Sequence, residues 1–213
     1  MLKRQTDYLF RHCQQPATMI FKDFNFDGQV DPFFCYFING VSYPYASRDE
    51  ALGQVNFLKQ RFPDYLSYAN ATIDKIFTAG ELTDTVVLKA NELHTRFFEN
   101  KGTFFDKKEL PTQAQWSPVY AIASTDVNTD GLPDIIMGGN ESYVRVRLGR
   151  NSSSRGMVFI NKGKGNFEYL PNQKSGIILK GDVREIKTIT GPSQTTLLVG
   201  SVGNPIQAFV IKK

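Results

Sequence analysis

Short apolar runs of strand length recur along this chain and stop at clusters of acidic, amide and glycine residues. "T-M-I-F-K" (18–22) leads into "D-F-N-F-D-G-Q-V-D" (23–31), which leads into "P-F-F-C-Y-F-I" (32–38). A hundred residues later, "V-Y-A-I-A" (119–123), "D-V-N-T-D-G-L-P-D" (126–134) and "I-I-M-G-G" (135–139) repeat that order. Runs of this length, rich in β-branched and aromatic residues and bounded by turn formers, predict strands. Further on, each copy offers a hairpin with a glycine turn. The first is "T-R-F-F-E-N-K-G-T-F-F-D" (95–106), the second "G-M-V-F-I-N-K-G-K-G-N-F-E-Y-L" (156–170). One unit therefore reads strand, acidic loop, strand, variable insertion, strand, glycine turn, strand. It is a four-stranded antiparallel unit that occurs twice. Three more strands are expected after Pro171, at "V-R-E-I-K-T-I", "T-T-L-L-V-G-S-V" and "Q-A-F-V-I".

The insertions follow a different rhythm. Ser47 and Glu50 form a capping box, and Leu52, Val55, Leu58 and Phe62 then recur at helical spacing up to Pro63. More helix is expected through "A-T-I-D-K-I-F" and up to Ala90, so residues 47–90 read as a helical insert packed outside the sheets. The second insertion, "N-E-S-Y-V-R-V-R-L-G-R-N-S-S-S-R", is shorter and basic. The fold class expected is all-β with a helical insertion.

Composition narrows the function classes. With 25 basic and 21 acidic residues the formal charge is only +4, and the basic residues are scattered, so nucleic acid is not the expected partner. Phe (17) and Tyr (9) are abundant, which favours strands. The two cysteines, Cys13 and Cys35, fit either one disulfide or two buried thiols and do not decide the redox compartment. No run reaches the length of a membrane span. The first residues carry no apolar h-region, and the expectation is a segment of a longer exported protein. G-x-S-x-G, phosphate-loop and H-E-x-x-H patterns are absent from the sequence, so an enzyme is not expected. "G-K-G-N-F" reads as a hairpin turn. Asp182 and Glu185 read as surface charges rather than an acid–base pair, and His94 as a structural or surface histidine.

The acidic loops carry the chemistry. Asp23, Asn25, Asp27 and Asp31 stand at offsets 0, 2, 4 and 8, and so do Asp126, Asn128, Asp130 and Asp134. These are hard oxygen donors without nitrogen or sulfur, and they suit Ca²⁺, which takes 6 to 8 oxygens at about 2.3–2.6 Å. Gly28 and Gly131 allow the bend. The residue at offset 6, Gln29 or Leu132, would contribute its backbone carbonyl. Both histidines lie outside the loops, which disfavours zinc, and Mg²⁺ prefers fewer protein ligands. An EF-hand would need a glutamate where Phe34 and Met137 stand, and helices where strands are expected. Asx turns without a metal are the plain alternative, and the duplication of spacing and flanks argues against it.

The same residues resemble the FG-GAP or VCBS repeat of integrin-α-type β-propellers, with its D-x-[DN]-x-D-G-x-x-D loop. "A-Q-W-S-P-V-Y-A", "G-G-N" and "G-K-G-N-F-E-Y-L-P … S-G-I … G-D-V-R-E-I", with the insert opening "Y-P-Y-A-S-R-D-E", are closer to bacterial VCBS-repeat proteins related to ASPIC/UnbV. The resemblance covers nearly the whole chain from about Pro16. It implies four-stranded propeller blades at 16–110 and 111–171 and a partial blade at 172–213, together one incomplete propeller domain over 1–213. It also implies two calcium ions and a cell-surface or secreted setting in which the protein recognises a protein or glycan ligand. Phe-Gly is missing before both loops, and Gly-Ala-Pro is "M-G-G-N" in one copy and lost in the other, so integrin-like ligand binding does not carry over. An unclosed arc of blades leaves open edges, from which self-association is expected. The alternative reading is an anion- or nucleic-acid-binding module that uses the arginine-rich insertion 143–155, with Arg145, Arg147, Arg150 and Arg155 as its contacts.

Overall fold

A computed structural model of the protein describes residues 15–144 and 149–212. Strand accounts for 41% and helix for 14%, which places the protein in the β-dominated class, and every strand pair is antiparallel. The chain divides into two compact units, Met1–His94 and Thr95–Lys213, where one domain was expected. Among the described residues no helix is long and apolar enough to cross a membrane.

In the first unit β1 (Ala17–Lys22), β2 (Asp31–Ile38), β3 (Val41–Pro44) and β4 (Val86–Ala90) form a sheet in the order β3-β2-β1-β4. Asn39 and Gly40 both take positive φ (49° and 86°), the backbone that a two-residue hairpin between right-twisted strands requires. Period-two alternation sorts β2, with Phe33 and Cys35 buried and Pro32 and Phe34 outward. The buried face packs against α1 (Arg48–Gln54), α2 (Leu58–Arg61), α3 (Tyr65–Tyr68) and α4 (Ile73–Ile76). Ser47 and Glu50 close the capping box, and the stripe Leu52, Val55, Leu58 and Phe62 is buried. Phe77 stacks on Phe24 at 4.0 Å and meets Phe33 edge-on at 5.1 Å. Each such ring is worth about 1.5–3 kcal/mol of burial. The insert is therefore the core of this unit rather than an accessory to it.

Two expectations are corrected here. Helix does not extend to Ala90. The β-branched stretch around Val86 and Val87 instead pairs along β1, whose N–H and C=O groups would otherwise line an open edge. The hairpin β5 (Arg96–Asn100) and β6 (Phe105–Glu109), expected to complete the first four-stranded unit, is a separate two-stranded sheet within the second compact unit. Both edges of β2 are taken, by β1 and β3, and the Phe97 ring of the hairpin instead lies 5.0 Å from Phe167.

The second unit continues with a 3-10 turn (Thr112–Gln115), then β7 (Val119–Thr125), β8 (Asp134–Gly139), β9 (Met157–Asn161) and β10 (Phe167–Leu170), paired in the order β10-β9-β8-β7. After a short helix α5 (Asn172–Ser175), β11 (Val183–Thr190), β12 (Gln194–Ser201) and β13 (Gln207–Lys212) form a three-stranded sheet. Ile136 and Val158 pack on one face against Val183, Leu197 and Val199 of that sheet. Met137 and Phe159 pack on the other face, with Leu110, Ala114 and Phe97. A Cβ on Gly138 would come within 2.7 Å of Val183 Cγ1, so glycine sets how closely the two sheets approach.

Candidate functional site

Both acidic loops sit where the sequence places them, each between two hydrogen-bonded strands, β1–β2 and β7–β8. Their internal bonding follows one pattern, to which the second loop adds a bond from Thr129 Oγ1 to Asn128 O (2.7 Å). Asp23 accepts from the N–H of Asp27 (3.1 Å) and of Gly28 (2.9 Å), and Asp126 accepts from the N–H of Asp130 (3.2 Å) and of Gly131 (2.8 Å). Asn25 Oδ1 accepts from Asp27 N–H and Asn128 Oδ1 from Asp130 N–H, at 3.1 and 3.2 Å. The N–H of Gln29 donates to Asp27 and that of Leu132 to Asp130, both at 2.8 Å. The amides of Asn25 and Asn128 donate to Asp27 and Asp130 at 3.0 and 2.8 Å. At the end of each loop a buried carboxylate reaches back, Asp31 to Phe24 N–H (3.0 Å) and Asp134 to Val127 N–H (2.8 Å). The backbones coincide as well, with φ of 59° and 83° at Phe26 and Gly28 and of 62° and 85° at Thr129 and Gly131.

The anchoring differs. Asn25 also donates to Gln54 O at the end of α1 (2.9 Å), and Phe24 enters the aromatic core. In the second loop Asp134 accepts a further bond from Asn161 N–H of β9 (2.8 Å), and the Asn161 amide donates to Pro133 O (3.0 Å). Asp134 is completely buried.

Burial raises the Asp31 carboxyl above its ordinary range; the bond from Phe24 N–H opposes this, and the neighbouring Asp27 and Asp23 add to it. In the second loop the bond from Leu132 N–H, with the Asn128 amide, lowers Asp130. Among the described residues no lysine or arginine forms an ion pair with Asp23, Asp27 or Asp31. Three carboxylates thus share one loop without a cation. No three His, Cys, Asp or Glu side chains among the described residues converge as a ready-made ligand set. The loop carboxylates turn onto backbone N–H groups instead, and each oxygen so engaged keeps acceptor capacity. The donor chemistry, all hard oxygen with net negative charge, fits a calcium ion and no softer metal.

Sequence reasoning missed a second polar cluster. Asp182, read as a surface charge, is buried and accepts from Ser142 N–H and Ser142 Oγ, both at 2.8 Å. Beside it Arg184 pairs with Glu141 (2.9 Å) and covers the Tyr120 ring (4.1 Å), while Tyr120 donates its hydroxyl to Glu141. Asn140 bonds Ser154 in both directions and reaches Gly181 O. Glu185 does lie at the surface, paired with Lys187. Gly181 before Asp182 marks a turn, with φ of 76°, but no local signal tells that the acid is buried against Ser142. Of the arginine-rich insertion, Arg145 and Arg147 lie outside the described residues, as does Cys13, and Arg150 reaches Ser142 Oγ at 3.5 Å. Cys35 is a buried free thiol, pushed up to about 11 by that burial. A cleft of about 360 Å³ in the first unit is lined by Tyr36, Tyr43, Tyr68 and Asn70, a neutral surface suited to stacking and hydrogen bonding.

No protein-family model, curated protein or solved structure matches the chain.

Proposed function

We propose that this protein is a calcium-binding, non-catalytic recognition module built from propeller-type blades, and that it serves on an exported bacterial protein at the cell envelope or outside it. The observation that carries the reading is the duplicated loop. Two segments with different intervening residues, in two compact units, reach the same hydrogen-bond pattern and the same pair of left-handed residues. Chance turns share residue types; they do not share a whole pattern of bonds. Asp23, Asn25, Asp27, the Gln29 carbonyl and Asp31 would hold one ion, and Asp126, Asn128, Asp130, the Leu132 carbonyl and Asp134 the other. Calcium would supply positive charge to loops dense in carboxylates; at Asp31, which burial raises first, the neighbouring Asp27 and Asp23 raise the carboxyl further. The chain's residues would keep each loop in shape before the ion arrives, so little ordering would be required on binding. The ligand recognised would be a protein or a glycan.

The test is a calorimetric titration of the full chain with CaCl₂. Two sites are expected, Asp27→Ala removing one and Asp130→Ala the other. At one hundred times Kd each ion stabilises its folded unit by about 2.7 kcal/mol. Absence of calcium heat, with a melting temperature that chelator leaves unchanged, refutes the reading. Arrays of glycans and proteins, probed with and without calcium, then identify the ligand.

A further inference from the structure

The two four-stranded sheets share the loop and the strand pair that flanks it, with β1 interior in one and its counterpart β7 at the edge of the other, and they differ in what covers them. Counting from the aspartate that ends each loop, Phe34 of β2 stands where Met137 stands in β8. Met137 is 3% exposed, because the β5–β6 side of the second unit lies over its face with Phe97, Leu110 and Ala114. Phe34 is 40% exposed. The strand registers place further apolar residues on the face of Phe34. Phe34 pairs with Met19 and Met19 with Leu88, Phe21 pairs with Val86, and Ile38 with Val41. Directly opposed residues of an antiparallel sheet share a face, so these belong to one apolar surface, extended by the pair Tyr36 and Tyr43. No charged residue stands among them. The opposite face, with Phe33 and Ile20, is the one the helices cover.

We propose that this face of the β3-β2-β1-β4 sheet is a docking surface for a second copy of the chain, the two copies meeting sheet to sheet. Leu88, Val86, Val41, Phe34 and Ile38 are each 40–57% exposed. Together with the half-buried Met19, Phe21 and tyrosines, they offer about 600 Å² of apolar surface per copy, at the top of the range for the largest patch on a monomer, where such patches are often functional. Pairing two such faces buries about 1,200 Å², the lower bound for a specific interface. A two-fold pairing needs only self-complementarity. This surface is broad, apolar and uncharged, so it meets its own image without like-charge repulsion. The second unit shows a cover that fits such a face, because over β8 and β9 apolar side chains of the β5–β6 hairpin and the segment after it close the side of Met137 and Phe159, while Ile122 of β7 stays exposed. Association runs through the face and not through the edges of an open arc, and it does not depend on calcium.

The full chain is measured by light scattering coupled to gel filtration over a range of concentrations, in the presence of chelator. The mass should rise from 24.0 kDa towards twice that value, with a micromolar midpoint. Leu88→Glu and Val86→Glu, on the exposed strand β4, should weaken dimerisation at least tenfold and leave the circular dichroism spectrum unchanged. Val87→Glu, on the other face of the same strand and 47% exposed, should dimerise like the parent chain. A parent chain that stays monomeric throughout overturns the proposal. So does a dimer that survives both Leu88→Glu and Val86→Glu, or one that Val87→Glu disrupts equally.

Discussion

Replacing Asp134 by alanine should cost the second unit more than any other single change in the two loops. The Asp134 side chain is fully buried and accepts two backbone N–H bonds, from Val127 in its own loop and from Asn161 on β9. Alanine supplies no acceptor, and both N–H groups, each on a half-buried residue, point at a position that is itself fully buried. Each donor left unsatisfied there costs about 1–3 kcal/mol, so the pair costs about 2–6 kcal/mol. That is a large part of the 5–15 kcal/mol typical of a folded domain. Asp31→Ala should cost about half as much in the first unit, where a single N–H, that of Phe24, depends on the carboxylate. The assay is urea denaturation in the presence of chelator, so that metal binding does not enter. Trp116 is the only tryptophan and packs against Tyr169 at 5.6 Å, so its fluorescence reports the second unit. With a slope of about 2 kcal/mol/M the midpoint should fall by about 1–3 M in Asp134→Ala. A shift below about 0.3 M would mean that the two N–H groups find other partners, and the account of Asp134 as the tie between loop and sheet would be wrong.

Two further predictions concern the frame around the loops. Gly138→Ala places a methyl within 2.7 Å of Val183 Cγ1, in a core with little room to move, and should lower the Trp116 urea midpoint by the equivalent of about 1–3 kcal/mol. An unchanged midpoint would show that the two sheets are not held at that spacing. The Glu81 carboxyl is held down at about 2 by hydrogen bonds from the Arg61 guanidinium, with Thr78 adding to it. Its folded value lies below its unfolded one, so its contribution is present above about pH 4.5 and is lost as pH falls towards 2. Glu81→Gln should therefore destabilise the first unit at pH 7 and match the parent chain near pH 2, and a difference independent of pH would sink that assignment.

The parts of this fold that were legible in the sequence are those whose signals are local. The acidic loops, their flanking strands, the hairpin at Lys162–Gly165, the capping box at Ser47 and the buried stripe from Leu52 to Phe62 each rest on residues close together in the chain, and the structure contains them. What was not legible is which strands join. "V-V-L" at 86–88 follows a helical stretch, and nothing nearby in sequence says that its partner is Met19, some seventy residues earlier. The β5–β6 hairpin is plain in the sequence. Its place is marked by Phe97 meeting Phe167, a contact as distant along the chain as the strands it was expected to join. Asp182 was misread for a related reason. Its burial depends on Ser142, forty residues away, and a carboxylate shows no period from which its burial could be read.

The two matching loops stand in different surroundings. The first sheet backs onto helices and aromatic rings, the second onto other sheets. A loop that served only to turn the chain would need its glycine and one or two Asx bonds, since many sequences make a tight connection between antiparallel strands. Here three carboxylates and an amide are kept at fixed offsets in both copies, at the expense of mutual repulsion and of a carboxyl, Asp31, that burial makes harder to ionise. That arrangement is costly for a turn and favourable for holding a cation. If both proposed calcium sites were removed by Asp27→Ala and Asp130→Ala, the loops should therefore become less repulsive as well as unable to bind. In chelator the double variant should lose less stability than the same substitutions cost in calcium, and equal losses in the two conditions would mean that the carboxylates serve the turn alone.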